Sequence, residues 1–146
     1  MHSRLVKLFN LPFSLKYLFT MSKQIINTSK APAPVGPYNQ AIKANGFLFV
    51  SGQIAINPET NALETANLED ETHLVFSNLK SILDEAGYAF ADVVKATVFL
   101  SDMGLFANVN EIYAQYFPEN APARECVAVK TLPKNVNVEI SVIAFK

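Results

Sequence analysis

Cysteine is almost absent from this chain, which holds Cys126 alone among its 146 residues. A single cysteine excludes an intrachain disulfide and a multi-cysteine metal site. It gives no indication of an oxidising compartment, so we expect a cytoplasmic location by default. Histidine is equally scarce, with only His2 and His73, and no group of histidines or carboxylates has the spacing of metal ligands. We therefore expect no metal site.

Charge is also in short supply, since charged residues make up 17% of the chain and the formal net charge is -1. No cluster of lysine and arginine is present, which argues against a nucleic-acid partner because binding to phosphate depends on such clusters. No apolar run reaches the roughly 20 residues of a membrane-spanning helix, so we expect no membrane partner. Half of the residues are hydrophobic, which predicts one globular domain with a sizeable core.

The first 20 residues differ from the rest because they contain no acidic residue and three basic ones, Arg4, Lys7 and Lys16. This composition resembles a mitochondrial transit peptide, which would place the protein in the mitochondrial matrix. Alternatively, Met21 is the true initiator and residues 1–20 are a start-site artefact. In both cases we expect the folded domain to run from 21 to 146, with a net charge that falls from -1 to -4.

The first half of the domain contains strand, turn and helix signals in that order. Residues 23–28 predict a short strand, and Asn45-Gly46 between two strand-like runs predicts a β-hairpin. The longest helical pattern follows and ends at Gly87, with acidic residues in its first turn that complement the helix dipole. Its predicted buried positions are Val75, Leu79, Ile82, Leu83 and Ala86, and its acidic residues are Glu69, Asp70 and Glu71.

The second half predicts a strand over 92–100, a helix that stops before Pro118, and two strands over 124–131 and 136–145. The strand at 92–100 alternates, with Val94, Ala96, Val98 and Leu100 on one side; the helix stripe comprises Leu105, Val109, Ile112, Tyr113 and Tyr116. Two helices on one face of a mixed sheet form a two-layer α+β domain. Its opposite face also carries apolar residues, including Phe99, Ile143 and Phe145, so we expect oligomerisation to cover it.

Five short stretches together resemble the Rid family, the YjgF-like reactive-intermediate deaminases. They are "GPYNQA" (36–41), "SGQ" (51–53), "VFLSDM" (98–103), "PARECV" (122–127) and "LPKNVNVEI" (132–140). The resemblance runs over 21–146. It implies a chorismate-mutase-like fold assembled as a homotrimer, with equivalent sites in the clefts between subunits.

The resemblance also implies an activity, the hydrolysis of reactive enamines and imines such as 2-aminoacrylate and 2-aminocrotonate to 2-oxo acids and ammonia. Arg124 would bind the substrate carboxylate, for which a planar guanidinium is well suited. Glu139 would hold or polarise the attacking water, although without the resemblance it would be interpreted as a solvent-facing strand residue. Imines already hydrolyse in water, so no cofactor is required.

Three further residues are implied as parts of the site. Tyr38 would pack on the ligand or hydrogen-bond to it, and Gly52 would let the backbone approach it closely. Cys126 would line the site and offer its backbone carbonyl; no partner base for a thiol nucleophile is evident, and a free cysteine on a strand is usually a small buried hydrophobe.

Two other functions compete with the deaminase. Some relatives are attributed an endoribonuclease activity, which the scarcity of histidine and the acidic domain disfavour. A non-catalytic module that binds small carboxylates, or acts like a chaperone, would use the same Arg124. Glu139 favours catalysis, since a carboxylate binder gains nothing from a second negative group nearby.

Overall fold

The computed structural model describes residues 22–146, so the predicted leader and the proposed initiator Met21 lie outside the described residues. Two helices and six strands follow one another along the chain. They are β1 (Gln24–Ile26), β2 (Ala41–Ala44), β3 (Phe47–Gln53), α1 (Leu68–Ala86), β4 (Val93–Leu100), α2 (Phe106–Tyr116), β5 (Ala123–Ala128) and β6 (Val138–Phe145). No helix within residues 22–146 is both long and apolar enough to cross a membrane.

The turn and cap residues named from the sequence have the expected backbone conformations. Asn45 and Gly46 join β2 to β3 with φ angles of 50° and 81°, which confirms the hairpin. Gly87 ends α1 in the left-handed region at φ 78°. Asn67, which precedes α1, accepts a hydrogen bond from the Asp70 backbone N–H and so caps the helix.

The six strands form one mixed sheet in the order β1-β2-β3-β6-β4-β5, in which only β4 and β5 run parallel. Both helices pack on the same face of this sheet, which confirms the predicted two-layer α+β domain. The core between the layers includes all five predicted positions of α1, each at most 8% exposed. Phe76 of α1 stacks on Tyr116 of α2 with ring centroids 4.1 Å apart.

Two predictions about local structure were wrong in detail, and the burial of one acidic residue was not predicted. β1 and β5 are shorter than predicted, and a register shift between Val93 and Lys95 changes which residue of β4 faces the core. Val93 is 5% exposed whereas Val94 is 46% exposed, because the irregularity shifts the alternation by one residue. Glu71 is fully buried and does not share the solvent-facing position of Glu69.

The other face of the sheet is covered by no element of residues 22–146. Phe47, Phe49 and Phe145 lie there with 38%, 46% and 50% of their surfaces exposed, and the rings of Phe47 and Phe145 are 4.7 Å apart. Ile25, on the first strand of the same sheet, is 54% exposed. Exposed aromatic groups that lie this close together are typical of an interaction surface.

Candidate active site

A cleft of about 440 Å³ lies where β3 and β6 meet the loop before β6, and we call it the Glu139 cleft. It brings together Tyr38, Gly52 and Glu139, three of the residues named from the sequence. Pro133 and Lys134 form part of the wall contributed by the loop. The cleft therefore combines a carboxylate, a phenol and an ammonium group within a largely apolar lining.

Gly52 reaches Glu139 because the pairing of β3 with β6 is irregular at this point. The register shifts between Val50 and Gln53, and the Gln53 side chain donates to the carbonyl oxygens of Ser51 and Gly52 at 3.1 and 3.3 Å. This bulge presents the Gly52 backbone to the Glu139 side chain. A Cβ on Gly52 would overlap Glu139 Oε1 and lie 2.9 Å from its Cδ, so glycine is the residue that leaves the Glu139 carboxylate in this position.

We expect Gly52→Ala to displace the Glu139 carboxylate and to lower any activity of the cleft by at least about tenfold, because misplacing a reacting group by an ångström can have larger effects. Steady-state kinetics would measure this. Gly104→Ala is the matched control, since its added methyl would also meet a carboxylate oxygen, that of Asp102 at 2.9 Å, at a residue that does not line the cleft. Equal activity in both alanine variants would contradict the prediction.

Glu139 itself is half-buried, and burial raises the pKa of its carboxyl above the ordinary value. The strand explains this position, because its neighbours Val138 and Ile140 point into the core and Glu139 points to the opposite face. A raised pKa keeps the group closer to the pH range in which it can both accept and donate a proton.

The raised pKa of Glu139 predicts a pH-dependent stability. The folded state binds this proton more tightly than the unfolded state, so stability should fall as pH rises through the unfolded pKa, near 4.3, to the folded one. Glu139→Gln should therefore melt higher than the original protein at pH 8 and no higher at pH 4. Glu119→Gln removes an exposed carboxylate as a control. A difference independent of pH would contradict the prediction.

Tyr38 lies at the rim of the Glu139 cleft and is 46% exposed. Its hydroxyl accepts a hydrogen bond from the Val35 backbone N–H at 3.3 Å. The buried side chain of Gln40 anchors the preceding part of this proline-rich loop, because its amide donates to three carbonyl oxygens within 2.8–3.1 Å. The loop is thus tied to the core while Tyr38 faces the cleft opening.

Arg124 lies in a different cavity, of about 390 Å³, between α2 and β5, which we call the Arg124 cavity. Its Nη1 donates to Asn110 Oδ1 at 2.9 Å, and its guanidinium carbon lies 4.5 Å from the centroid of the Tyr113 ring and 5.7 Å from that of Phe106. Within residues 22–146 no carboxylate lies within ion-pair distance of this guanidinium. Aromatic rings hold the charge in place and leave its remaining donors available for an anion.

Cys126 follows two residues after Arg124 on the same side of β5. Burial raises the pKa of its thiol, and the nearby positive charge of Arg124 only partly opposes that effect. The sulfur therefore stays protonated at neutral pH, as in a structural cysteine. Among residues 22–146, no histidine that could act as its base lines either cavity.

Arg124 and Glu139 lie on opposite faces of the sheet. Arg124 is paired with Ala96, which is buried beneath the helices, whereas Glu139 is paired with Phe99 three residues further along the same strand. Because side chains of a strand alternate between faces, residues three apart point in opposite directions. One chain therefore does not bring the two groups into a single cavity.

Two helices on one face of a six-stranded mixed sheet, with a cavity at each face that contains charged side chains, define a two-layer α+β domain with ligand-sized clefts. A family model described as Endoribonuclease L-PSP matches residues 28–146. The chain belongs to this family, also called the YjgF, RutC or Rid family, as the sequence resemblance predicted.

Relatives and solved structures are similar over most of the chain. A RutC family protein of Pyrococcus horikoshii is 52% identical over 124 residues, covering 85% of this chain and 98% of that protein. The chloroplastic Reactive Intermediate Deaminase A of Arabidopsis thaliana is 45% identical over 125 residues, 86% of this chain and 67% of that protein. The crystal structure of E. coli TdcF with bound serine is 40% identical, with a TM-score of 0.81, and the match covers 84% of this chain and 98% of that one.

Sequence reasoning missed three side chains that complete the two cavities. Lys134, with φ 56°, contributes to the Glu139 cleft from the stretch 132–140, of which Glu139 alone was named from the sequence as a site residue. Asn110 and Tyr113 contact Arg124, although Tyr113 was assigned to the core stripe of α2. Their spacing of three residues places them on one face of the helix, which was a usable signal. The Tyr113 hydroxyl is buried without a hydrogen-bond partner in the described residues.

Proposed function

We propose that this protein hydrolyses small imines and enamines that carry a carboxylate, giving 2-oxo acids and ammonia. The observation that carries the proposal is Arg124, an arginine held against aromatic rings with no carboxylate of residues 22–146 in ion-pair range. Membership of the Rid family and similarity to a protein named Reactive Intermediate Deaminase A support it.

In the proposed reaction Arg124 binds the two carboxylate oxygens of the substrate. A charged hydrogen bond of this kind contributes roughly 1.5–3 kcal/mol, which is enough to fix the orientation of a molecule this small. Tyr38 and the Gly52 backbone form the opposing wall. Cys126 lines the Arg124 side of the site and carries no covalent step.

Glu139 acts as the general base and then as the general acid of the proposed reaction. An enamine first takes a proton from solvent on its carbon to become the protonated imine; water then adds to the C=N carbon while Glu139 accepts a proton from that water. The resulting tetrahedral intermediate has a hydroxyl and an amine on one carbon. Glu139 returns the proton to the nitrogen, ammonia leaves, and the hydroxyl gives its proton to the departing ammonia as its oxygen becomes the carbonyl of the 2-oxo acid. The raised pKa of Glu139 suits both directions of transfer.

We further propose that the site is completed by assembly. Because Arg124 and Glu139 lie on opposite faces of one sheet, a substrate contacts both only where the Arg124 side of one protomer meets the Glu139 cleft of another. A homotrimer, which the family resemblance implies, would also cover the exposed aromatic face at Phe47, Phe49 and Phe145.

The direct test couples a serine or threonine dehydratase to this protein and follows release of the 2-oxo acid. We expect faster release than with the dehydratase alone, with no added metal or cofactor. Sedimentation of the same preparation should give the mass of three chains. A release rate equal to that of the dehydratase alone would refute the proposed activity.

A non-catalytic binder of small carboxylates is the second candidate, and the serine bound in the related TdcF structure favours it. Such a protein would bind serine or a 2-oxo acid through Arg124 without accelerating imine hydrolysis. Endoribonuclease activity has less support from the geometry. His73, the only histidine of residues 22–146, shares a 2.7 Å hydrogen bond with the Tyr116 hydroxyl and lines neither cavity.

A further inference from the structure

Among residues 22–146, Glu71 is the only acidic residue that is fully buried. Its Oε1 accepts the backbone N–H groups of Asn137 at 2.7 Å and Val138 at 3.3 Å, and its Oε2 accepts from Asn137 Nδ2 at 2.7 Å. No lysine or arginine of these residues lies within ion-pair distance of it. Hydrogen bonds from one short segment therefore compensate for the burial of this carboxylate.

The usual role of an acidic residue in a first helical turn does not account for Glu71. The side chain of Asn67 caps α1 by accepting the Asp70 N–H at 2.8 Å, and the Asn67 carbonyl accepts the Glu71 N–H at 3.1 Å. The Glu71 carboxylate bonds to no backbone group of its own helix among the described residues. It bonds instead to a segment 66 and 67 residues further along the chain.

That segment is held from both sides. While Glu71 accepts from the backbone and side-chain nitrogens of Asn137, Ser101, directly after β4, donates to the Asn137 carbonyl at 3.0 Å and to its Oδ1 at 3.2 Å. All four polar groups of Asn137 are thus paired. We call the hydrogen bonds of Glu71 and Ser101 with Asn137 the clamp. The clamp fixes the position of the chain two residues before Glu139.

The position of this clamp matters because it defines where β6 begins. Val138 is paired with Leu100 and Glu139 with Phe99, at the end of the ladder between β6 and β4. A slip of one residue would turn Glu139 from the cleft to the buried face. The end of a ladder has neighbours on one side only, so the clamp resists fraying where the ladder is weakest.

We propose that Glu71 is a positioning residue for Glu139, acting through Asn137 and Val138 to fix the carboxylate in its cleft. This inference rests on the proposed function for its kinetic consequences. Glu71 touches no lining residue of the cleft through a hydrogen bond and is not itself a catalytic residue.

Glu71→Gln is the first test, because the amide keeps the shape but places an NH2 group against an N–H donor of Asn137. We expect kcat to fall by about tenfold or more while KM changes by less than about threefold, since substrate binding through Arg124 is retained. Carbon-13 NMR should show the pKa of Glu139 falling toward its ordinary value as the carboxyl becomes more exposed. The other titratable groups of that cleft are Tyr38 and Lys134.

The double variant Glu71→Gln/Asn137→Asp is designed to restore the hydrogen bond between these two side chains. It reverses the donor and acceptor between the two side chains and leaves the carbonyl oxygen of the introduced amide to accept the backbone N–H groups. We therefore expect it to restore kcat to within about threefold and to restore the pKa of Glu139. Glu69→Gln is the matched control, since it removes an exposed carboxylate from the same helical turn. Glu69→Gln should change neither kcat nor the pKa of Glu139.

The outcomes separate this proposal from the proposed function. Unchanged kcat and unchanged Glu139 titration in a folded Glu71→Gln variant would overturn the positioning role, as would a double variant that recovers its melting temperature but not its kcat. If the original protein fails to accelerate imine hydrolysis, the proposed function is wrong. The Glu139 titration in the single and double variants then decides the positioning role by itself.

Discussion

Arg124→Ala should lower kcat/KM for imine hydrolysis by about a hundredfold or more while leaving the assembly intact. The guanidinium is the only group of the Arg124 cavity with a full positive charge, so its loss removes the charged hydrogen bonds to the substrate carboxylate. The alanine variant keeps the packing of β5 because the side chain contacts mainly the surface of Tyr113 and Asn110. The dehydratase-coupled assay and sedimentation measure the two quantities.

Two further variants test this prediction: Arg124→Lys tests the geometry of the guanidinium group, and Lys80→Ala is the control. Lysine retains the charge but lacks the planar guanidinium group. We therefore expect Arg124→Lys to lower kcat/KM by roughly tenfold, which is less than the loss in Arg124→Ala. Lys80 lies on the exposed side of α1, where it forms an ion pair with Asp84, and its removal should have no effect on hydrolysis. An Arg124→Ala variant with the original kcat/KM would remove the arginine from the mechanism.

The features that local chemistry determines were predictable from the sequence. Asn45-Gly46 predicted a hairpin because both residues tolerate positive φ, and Gly87 predicted the end of α1 for the same reason. The register of β4 was not predictable, because the irregularity after Val93 depends on its pairing with β6, about 50 residues later in sequence. The same alternation rule therefore placed Val98 correctly and Val94 wrongly.

The candidate site was also predictable only in part. Arg124 and Glu139 could be named from the motifs around them, and their strands were predicted. That the two groups point to opposite faces could not be predicted, because it depends on the pairing of β4 with both β5 and β6. Glu71 lies in the first turn of α1 as predicted, but its burial could not be predicted for the same physical reason, since its hydrogen-bond partners are distant in sequence.

Subunits of Arg124→Ala and Glu139→Gln should complement one another. Each variant alone should be nearly inactive, because every site of its homo-oligomer lacks one of the two groups. In every mixed trimer one of the three interfaces pairs an intact Arg124 with an intact Glu139, so activity of the mixed trimers should return to about a third of the original value per chain. Co-expression with two different affinity tags, followed by tandem purification and the coupled assay, would measure the recovery.

The control for complementation combines Arg124→Ala with the double variant Arg124→Ala/Glu139→Gln. No interface of that mixture contains an intact arginine at position 124, so no activity should return. If the mixture of single variants also stays inactive although the subunits co-purify, both groups must come from one chain. That result would contradict a shared site, because it would require the chain to bring together two side chains that point to opposite faces of its sheet.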